Sequence, residues 1–198
     1  MSTVSESLPR PVRAVPADPG ALGLGAFALT IFVLSLANTG WVPAAGAAVL
    51  AVALFYGGLT QFAAGMWEFA RGNTFAATAF TSYGAFWLSF WWLETNPSVV
   101  QQAGPTGVGA YLLAWAIFTG YMTVAAVKTT RVTLAMFALF TVTLITLSIG
   151  AFTGLGGISQ AGGWVGLATA LAAWYGSAAV VVNTSWGRTV FPLGGPLV

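Results

Sequence analysis

The chain alternates long apolar runs with short polar breaks. Six runs approach or exceed the roughly 20 apolar residues that a helix needs to cross a bilayer: 21–37, 44–70, 74–93, 107–127, 132–152 and 162–182. Each run is continuous. Membrane-barrel strands alternate apolar and polar residues over about ten positions, so continuity points to helices. The breaks are short; Gly72-Asn73 alone joins the second run to the third. The pattern predicts an all-α membrane protein, a six-transmembrane-helix bundle, with no space left for a second soluble domain. We divide it into a flexible tail over 1–17, a transport domain over 18–187 and a C-terminal tail over 188–198.

The few charges orient the bundle. Arg10 and Arg13 precede the first run, Arg71 follows the second, Lys128 and Arg131 lie between the fourth and fifth, and Arg188 follows the sixth. If the N-terminus is cytoplasmic, all six Lys and Arg residues are too, and the opposite loops carry Glu94 alone. That is the positive-inside distribution, with both termini cytoplasmic. A signal peptide is the competing reading of the first apolar run. The run starts late and five more follow, so a multi-pass protein of the plasma (inner) membrane is expected.

Composition narrows the chemistry. The 198 residues are 58% hydrophobic and 5% charged, with no Cys and no His. Soluble domains carry about 25% charged residues, so this chain cannot coat a globule with polar side chains. Without Cys or His, thiolate catalysis, His-based general bases and the usual zinc, iron and haem ligand sets are excluded. No metal or other cofactor is expected. A net charge of +2 without a basic cluster gives nucleic acid no footing. There is no mid-span Lys for a retinal Schiff base, no phosphate-cradling loop and no protease-like constellation, so an enzyme is not expected.

What remains is a small set of polar groups inside apolar runs. Gly57, Gln61, Gly65 and Glu68 follow one another at steps of four, four and three, which puts them on one helix face. Gln61 is mid-span, where an amide facing lipid is costly. Glu68 admits two readings: a structural ion pair with Arg71 or Arg131, or a proton-linked carboxylate. Thr74, Thr78, Thr81 and Ser82, spaced four, three and one apart, make a hydroxyl stripe on one face beside Tyr83, able to meet a small solute or to bond back to their own helix. Asn38 is either a helix cap or a residue of the external mouth. Asp18-Pro19 reads as an N-cap followed by the first helical residue, opening a run Asp18-Pro19-Gly20-Ala21-Leu22-Gly23-Leu24 whose helix terminus favours an anion. Trp41, Trp91, Trp92, Trp164 and Trp186 fit interfacial anchors.

The run Phe55-Tyr56-Gly57-Gly58-Leu59-Thr60-Gln61 is followed by Gly65, Glu68, Gly72-Asn73-Thr74-Phe75 and Thr78-Ala79-Phe80-Thr81-Ser82-Tyr83-Gly84-Ala85-Phe86-Trp87. Together these closely resemble the signature of the acetate uptake transporter family, the succinate–acetate permeases. The ending from Gly187 to Gly194 is also similar to theirs. The resemblance implies a homohexamer of six-helix protomers, each with its own pathway, moving acetate and related short carboxylates, usually with protons. The family hallmark Asn-Pro-Ala-Pro-Leu-Gly-Leu is matched by Asp18 to Leu24, with Asp18 replacing Asn and Ala21 replacing the second Pro. Its entrance residues would be Asp18, Pro19, Leu22, Gly23 and Leu24. Its mid-pore constriction, a Phe, a Tyr and a Leu, would fall on Phe27, Tyr83 and Phe140. Gln61, Ser82 and Tyr83 become candidate hydrogen-bond donors to the solute, and Glu68 the candidate proton-linked group. A passive channel for acetate or another small solute uses the same lining and is the main alternative.

Overall fold

The computed structural model describes residues 17–197. The expected N-terminal tail, with Arg10 and Arg13, lies outside the described residues apart from Ala17. Among those described there are six helices: α1 (Gly20–Asn38), α2 (Ala45–Arg71), α3 (Thr74–Thr95), α4 (Pro97–Ala126), α5 (Arg131–Thr153) and α6 (Gly156–Trp186). Five are long and apolar enough to cross a membrane. The sixth, α3, has 22 residues, about 33 Å at 1.5 Å per residue. It falls short on hydropathy because its Thr, Ser, Tyr, Gly and Trp residues dilute the apolar ones. Each helix packs on its neighbours in chain order, and α6 returns to α1, closing a ring.

Small residues allow the close approaches. A Cβ on Gly65 would lie 2.5 Å from the Thr81 backbone nitrogen, and one on Gly84 would lie 2.7 Å from that of Phe62, so α2 and α3 pack backbone to backbone. On the other side of α1, a Cβ on Gly163 of α6 would lie 2.6 Å from the Thr39 nitrogen. Ser177 donates to the Ala21 carbonyl at 2.6 Å, and Ser148 of α5 donates to the Gly109 carbonyl of α4 at 2.8 Å. Such polar clasps replace the hydrophobic driving force that helices in lipid lack.

Several local features depart from the sequence expectations. The helix N-cap is Pro19 rather than Asp18, and Gly20 is the first helical residue. Asp18 still serves the helix start, accepting a hydrogen bond from the Gly20 N–H at 2.8 Å. Within α2, residues Ala53–Thr60 form a π-helix. Thr60 donates to the Phe55 carbonyl five residues back at 2.9 Å. The wider turn lets Gly57 and Gly58 both face inward and sets Gln61, Ala64, Gly65 and Glu68 on the buried face. The fourth apolar run was expected from 107, but α4 starts at Pro97 and kinks at Gly104 (φ 58°, ψ −177°), just before Pro105. Proline supplies no N–H and disfavours a helical residue before it, so the kink falls on the glycine. The helix containing 162–182 extends by about two turns at its start and one at its end.

Candidate functional site

Phe27 (α1), Tyr83 (α3) and Phe140 (α5) meet at the centre of the ring. Their centroids are 5.7 Å apart for Phe27–Tyr83, 4.8 Å for Phe27–Phe140 and 5.3 Å for Tyr83–Phe140. The contacts are tilted or edge-to-face, the arrangement aromatic quadrupoles favour. All three residues are at most 3% exposed, so they form a closed plug. The plug is braced by neighbours. Phe118 and Phe137 pack on Tyr83, and the Tyr83 hydroxyl donates to Thr119 Oγ1 at 3.0 Å. Thr119 in turn donates to the Trp115 carbonyl at 2.8 Å. Tyr83 is thus tethered, whereas the two phenylalanines are held by packing alone.

A cavity opens on each side of this plug. The first, about 460 Å³, runs from Phe140, Phe86 and Thr143 to Asn38, Glu94 and Ser159. Its walls are mostly apolar, and the short helical stretch before the Gly104 kink contributes Val100 and Ala103. Tyr111 also lines it, with its hydroxyl 2.7 Å from Ser89 Oγ. The second, about 250 Å³, is lined near the plug by Phe137 and Met136, and at its mouth by Asp18, Glu68, Asn73 and Thr130. We call these the Asn38-side and Asp18-side cavities.

The Asp18-side mouth holds a cluster of three charges. Arg71 lies 3.8 Å from Asp18 Oδ2 and 4.0 Å from Glu68 Oε2. Glu68 is 2% exposed, and its Oε2 has no hydrogen-bond partner among the described residues. One guanidinium faces two carboxylates at loose distances. The Asn73 side chain hydrogen-bonds the Glu68 carboxylate, while at Oε2 the attraction of Arg71 at 4.0 Å only partly replaces lost hydration. Of the two partners considered for Glu68, Arg71 is the one found beside it.

The other expected residues separate into groups. Asn38 and Phe140 line the Asn38-side cavity, while Asp18, Leu24 and Glu68 line the other. Gly23 is buried in the α1–α3 seam, where an added Cβ would lie 2.6 Å from Phe80; Leu22 is exposed. Gln61, Thr78, Thr81 and Ser82 are not among the lining residues of either cavity. Thr81 instead lies against Gly65. Gln61 is 1% exposed, and neither its amide oxygen nor its nitrogen has a hydrogen-bond partner among the described residues. Hydroxyl periodicity identified a shared face without identifying the neighbour that face meets. Thr119, Tyr111 and Leu193 belong to the site and were not singled out beforehand. Tyr111 could have been found as a phenol within an apolar run; Leu193 lay in the family-like ending, but nothing in that run tied it to the cavity.

Helices of this length and apolarity, packed in a ring, define a multi-pass membrane protein. The chain belongs to the GPR1/FUN34/yaaH family, whose model matches residues 2–193. It is 39% identical over 180 residues to the succinate-acetate/proton symporter SatP of Escherichia coli, covering 90% of this chain and 95% of that one. It is 44% identical over 190 residues to Accumulation of dyads protein 2 of Saccharomyces cerevisiae, covering 88% of this chain but 64% of the yeast protein. The fold matches the solved structure of the bacterial acetate channel SatP with a TM-score of 0.85 at 38% identity, covering 90% of this chain and 99% of that one. The family expected from the Phe55–Trp87 block is therefore the one to which the chain belongs.

Proposed function

We propose that this protein carries acetate and related short monocarboxylates across the plasma (inner) membrane, together with protons, along a route through the two cavities and the Phe27–Tyr83–Phe140 plug. The observation that carries the proposal is an aromatic plug with one cavity reaching it at Phe140 and a second ending at Phe137, which packs on Tyr83, inside a membrane-protein ring. The relatives called symporter and channel support the same substrate. With both termini cytoplasmic, the Asp18-side mouth faces the cytoplasm and the Asn38-side mouth faces out. A homohexamer is the proposed assembly. It is supported by the large exposed side chains on α2 and α4, including Phe55, Trp67, Ile117 and Tyr121, which need lipid or a neighbouring copy to cover them.

Transport requires a carboxylate to pass three aromatic rings, two of them wholly apolar. A bare charge in such surroundings is costly. Acetic acid has a pKa near that of a Glu side chain, about 4.3. A proton that travels with the anion lets the plug meet a neutral acid. Tyr83 is the polar edge of the plug, and its hydroxyl can exchange Thr119 for the solute at little cost. Gln61 is proposed as a second donor, since its buried amide has unspent hydrogen-bonding capacity. Glu68, with one carboxylate oxygen still lacking a hydrogen bond, is the candidate relay for the proton at the Asp18-side mouth.

The test is uptake of labelled acetate at acidic external pH by cells that lack their own carrier and express this chain. Accumulation above equilibrium that collapses with a protonophore supports proton-coupled transport. Saturable uptake that only equilibrates would replace that reading with a passive channel. Uptake no greater than in cells without the protein would overturn both.

A further inference from the structure

The chain beyond α6 is folded back under the Asp18-side cavity. After Gly187 (φ 62°) terminates the helix, Asn183 clasps the returning strand. Its Oδ1 accepts from the Val190 and Phe191 N–H groups at 2.7 and 3.0 Å, and its Nδ2 donates to the Phe191 carbonyl at 2.9 Å. The Tyr175 hydroxyl donates to the Pro192 carbonyl at 2.9 Å. Further along, the Val132 N–H donates to the Leu193 carbonyl at 3.2 Å, and the Leu197 N–H donates to the Val127 carbonyl at 3.3 Å. Residues 190–197 are thus attached at one end to α6 and at the other to the α4–α5 connection. Between the attachments, Leu193 lines the cavity together with Asp18, Glu68 and Thr133.

We propose that residues 190–197 are a movable strap across the Asp18-side mouth, with Leu193 as its plug and Asn183 as the residue that positions it. All of these bonds are made by the strap's main chain, and most of its residues are exposed. Water can satisfy the same groups when the strap lifts. The Val132 N–H and Val127 carbonyl are helix-terminal groups, which lack intrahelical partners in any case. A segment with few buried apolar contacts and exposed hydrogen bonds opens more readily than the helices it bridges. The closed plug and the strap then bound the Asp18-side cavity at its two ends. The strap's function as a gate rests on the transport reading above; its opening does not.

The chain has no Cys, so single thiols report cleanly. Thr133→Cys places one on the cavity wall. Its labelling by a bulky hydrophilic maleimide, in detergent-solubilised protein, measures opening without requiring transport. Adding Asn183→Leu should speed labelling about tenfold while the protein still elutes as a single folded species. Equal rates with and without Asn183→Leu would overturn the strap as a cover. A second pair, Arg131→Cys with Gly194→Cys, is designed to lock the strap: the two positions adjoin, with 3.0 Å from a Cβ built on Gly194 to that of Arg131, and the exposed strap has to move out slightly to reach the roughly 3.5–4.5 Å of a disulfide and to take a side chain at φ 72°. Once the disulfide is verified by mass, acetate uptake in reconstituted vesicles should fall at least tenfold and return on reduction. Unchanged uptake with the disulfide formed would overturn the strap as a gate. If the maleimide result holds but the reduced pair and wild type both fail to move acetate, the transport reading fails and the strap stands.

Discussion

Tyr83 is fixed by a hydrogen bond as well as by packing, while Phe27 and Phe140 are fixed by packing alone. Tyr83→Phe should cost about 1 kcal/mol of stability, read as a drop of a few degrees in the thermal midpoint in detergent. The loss stays small because Thr119 keeps its bond to the Trp115 carbonyl. Phe140 stands where the family resemblance expects a Leu. Phe140→Leu should widen the plug and raise the ratio of succinate to acetate uptake several-fold; an unchanged ratio would remove Phe140 as a size filter. Glu68→Gln keeps the shape and removes the charge. We expect it to abolish accumulation above equilibrium while preserving exchange of labelled for unlabelled acetate. If concentrative uptake and its pH dependence both survive, Glu68 is structural. At this scale the sequence was informative where a residue type is costly in its setting: Gln61 and Glu68 are both buried, as a mid-span amide and a lone span carboxylate suggested. It was least informative about partners. Spacing put Thr81 on a face, but the close approach of Gly65 made that face a helix seam.

The elements were legible in their number and less so in their ends. Apolar runs located all six helices because long spans must satisfy their backbone internally. The π-helical turn at Ala53–Thr60 was not legible, since it arises from how Gly57 and Gly58 meet α1 and α3. The kink at Gly104 could have been read from Gly104-Pro105, but the hydropathy break at 107 concealed the short helix before it. The α2–α3 seam depends on missing side chains. Gly65→Leu should cost about 1–3 kcal/mol or more through overpacking and reduce the monodisperse peak on size-exclusion chromatography. Gly120→Ala is the matched control. Nothing lies within 4 Å of the Cβ it would add, so its profile should match that of the parent.

The whole molecule is a ring in which the first, third and fifth helices each send one aromatic ring to the axis. That alternation leaves the second, fourth and sixth helices to build the outer wall and the cavity rims. Asp18, Glu68 and Arg71 cluster at one mouth, Glu94 lines the opposite cavity, and the centre is closed by groups that need no counterion. The back-folded C-terminal segment was not legible from the sequence, because its contacts are made by main-chain atoms rather than by patterned side chains. Proton-coupled acetate carriage is tested most simply in vesicles containing only this protein, given an inward proton gradient and labelled acetate at a pH where little neutral acid crosses the lipid unaided. Saturable accumulation above that of protein-free vesicles is expected, collapsing when the gradient is dissipated and reduced by Tyr83→Trp. Accumulation identical to that of protein-free vesicles would contradict it.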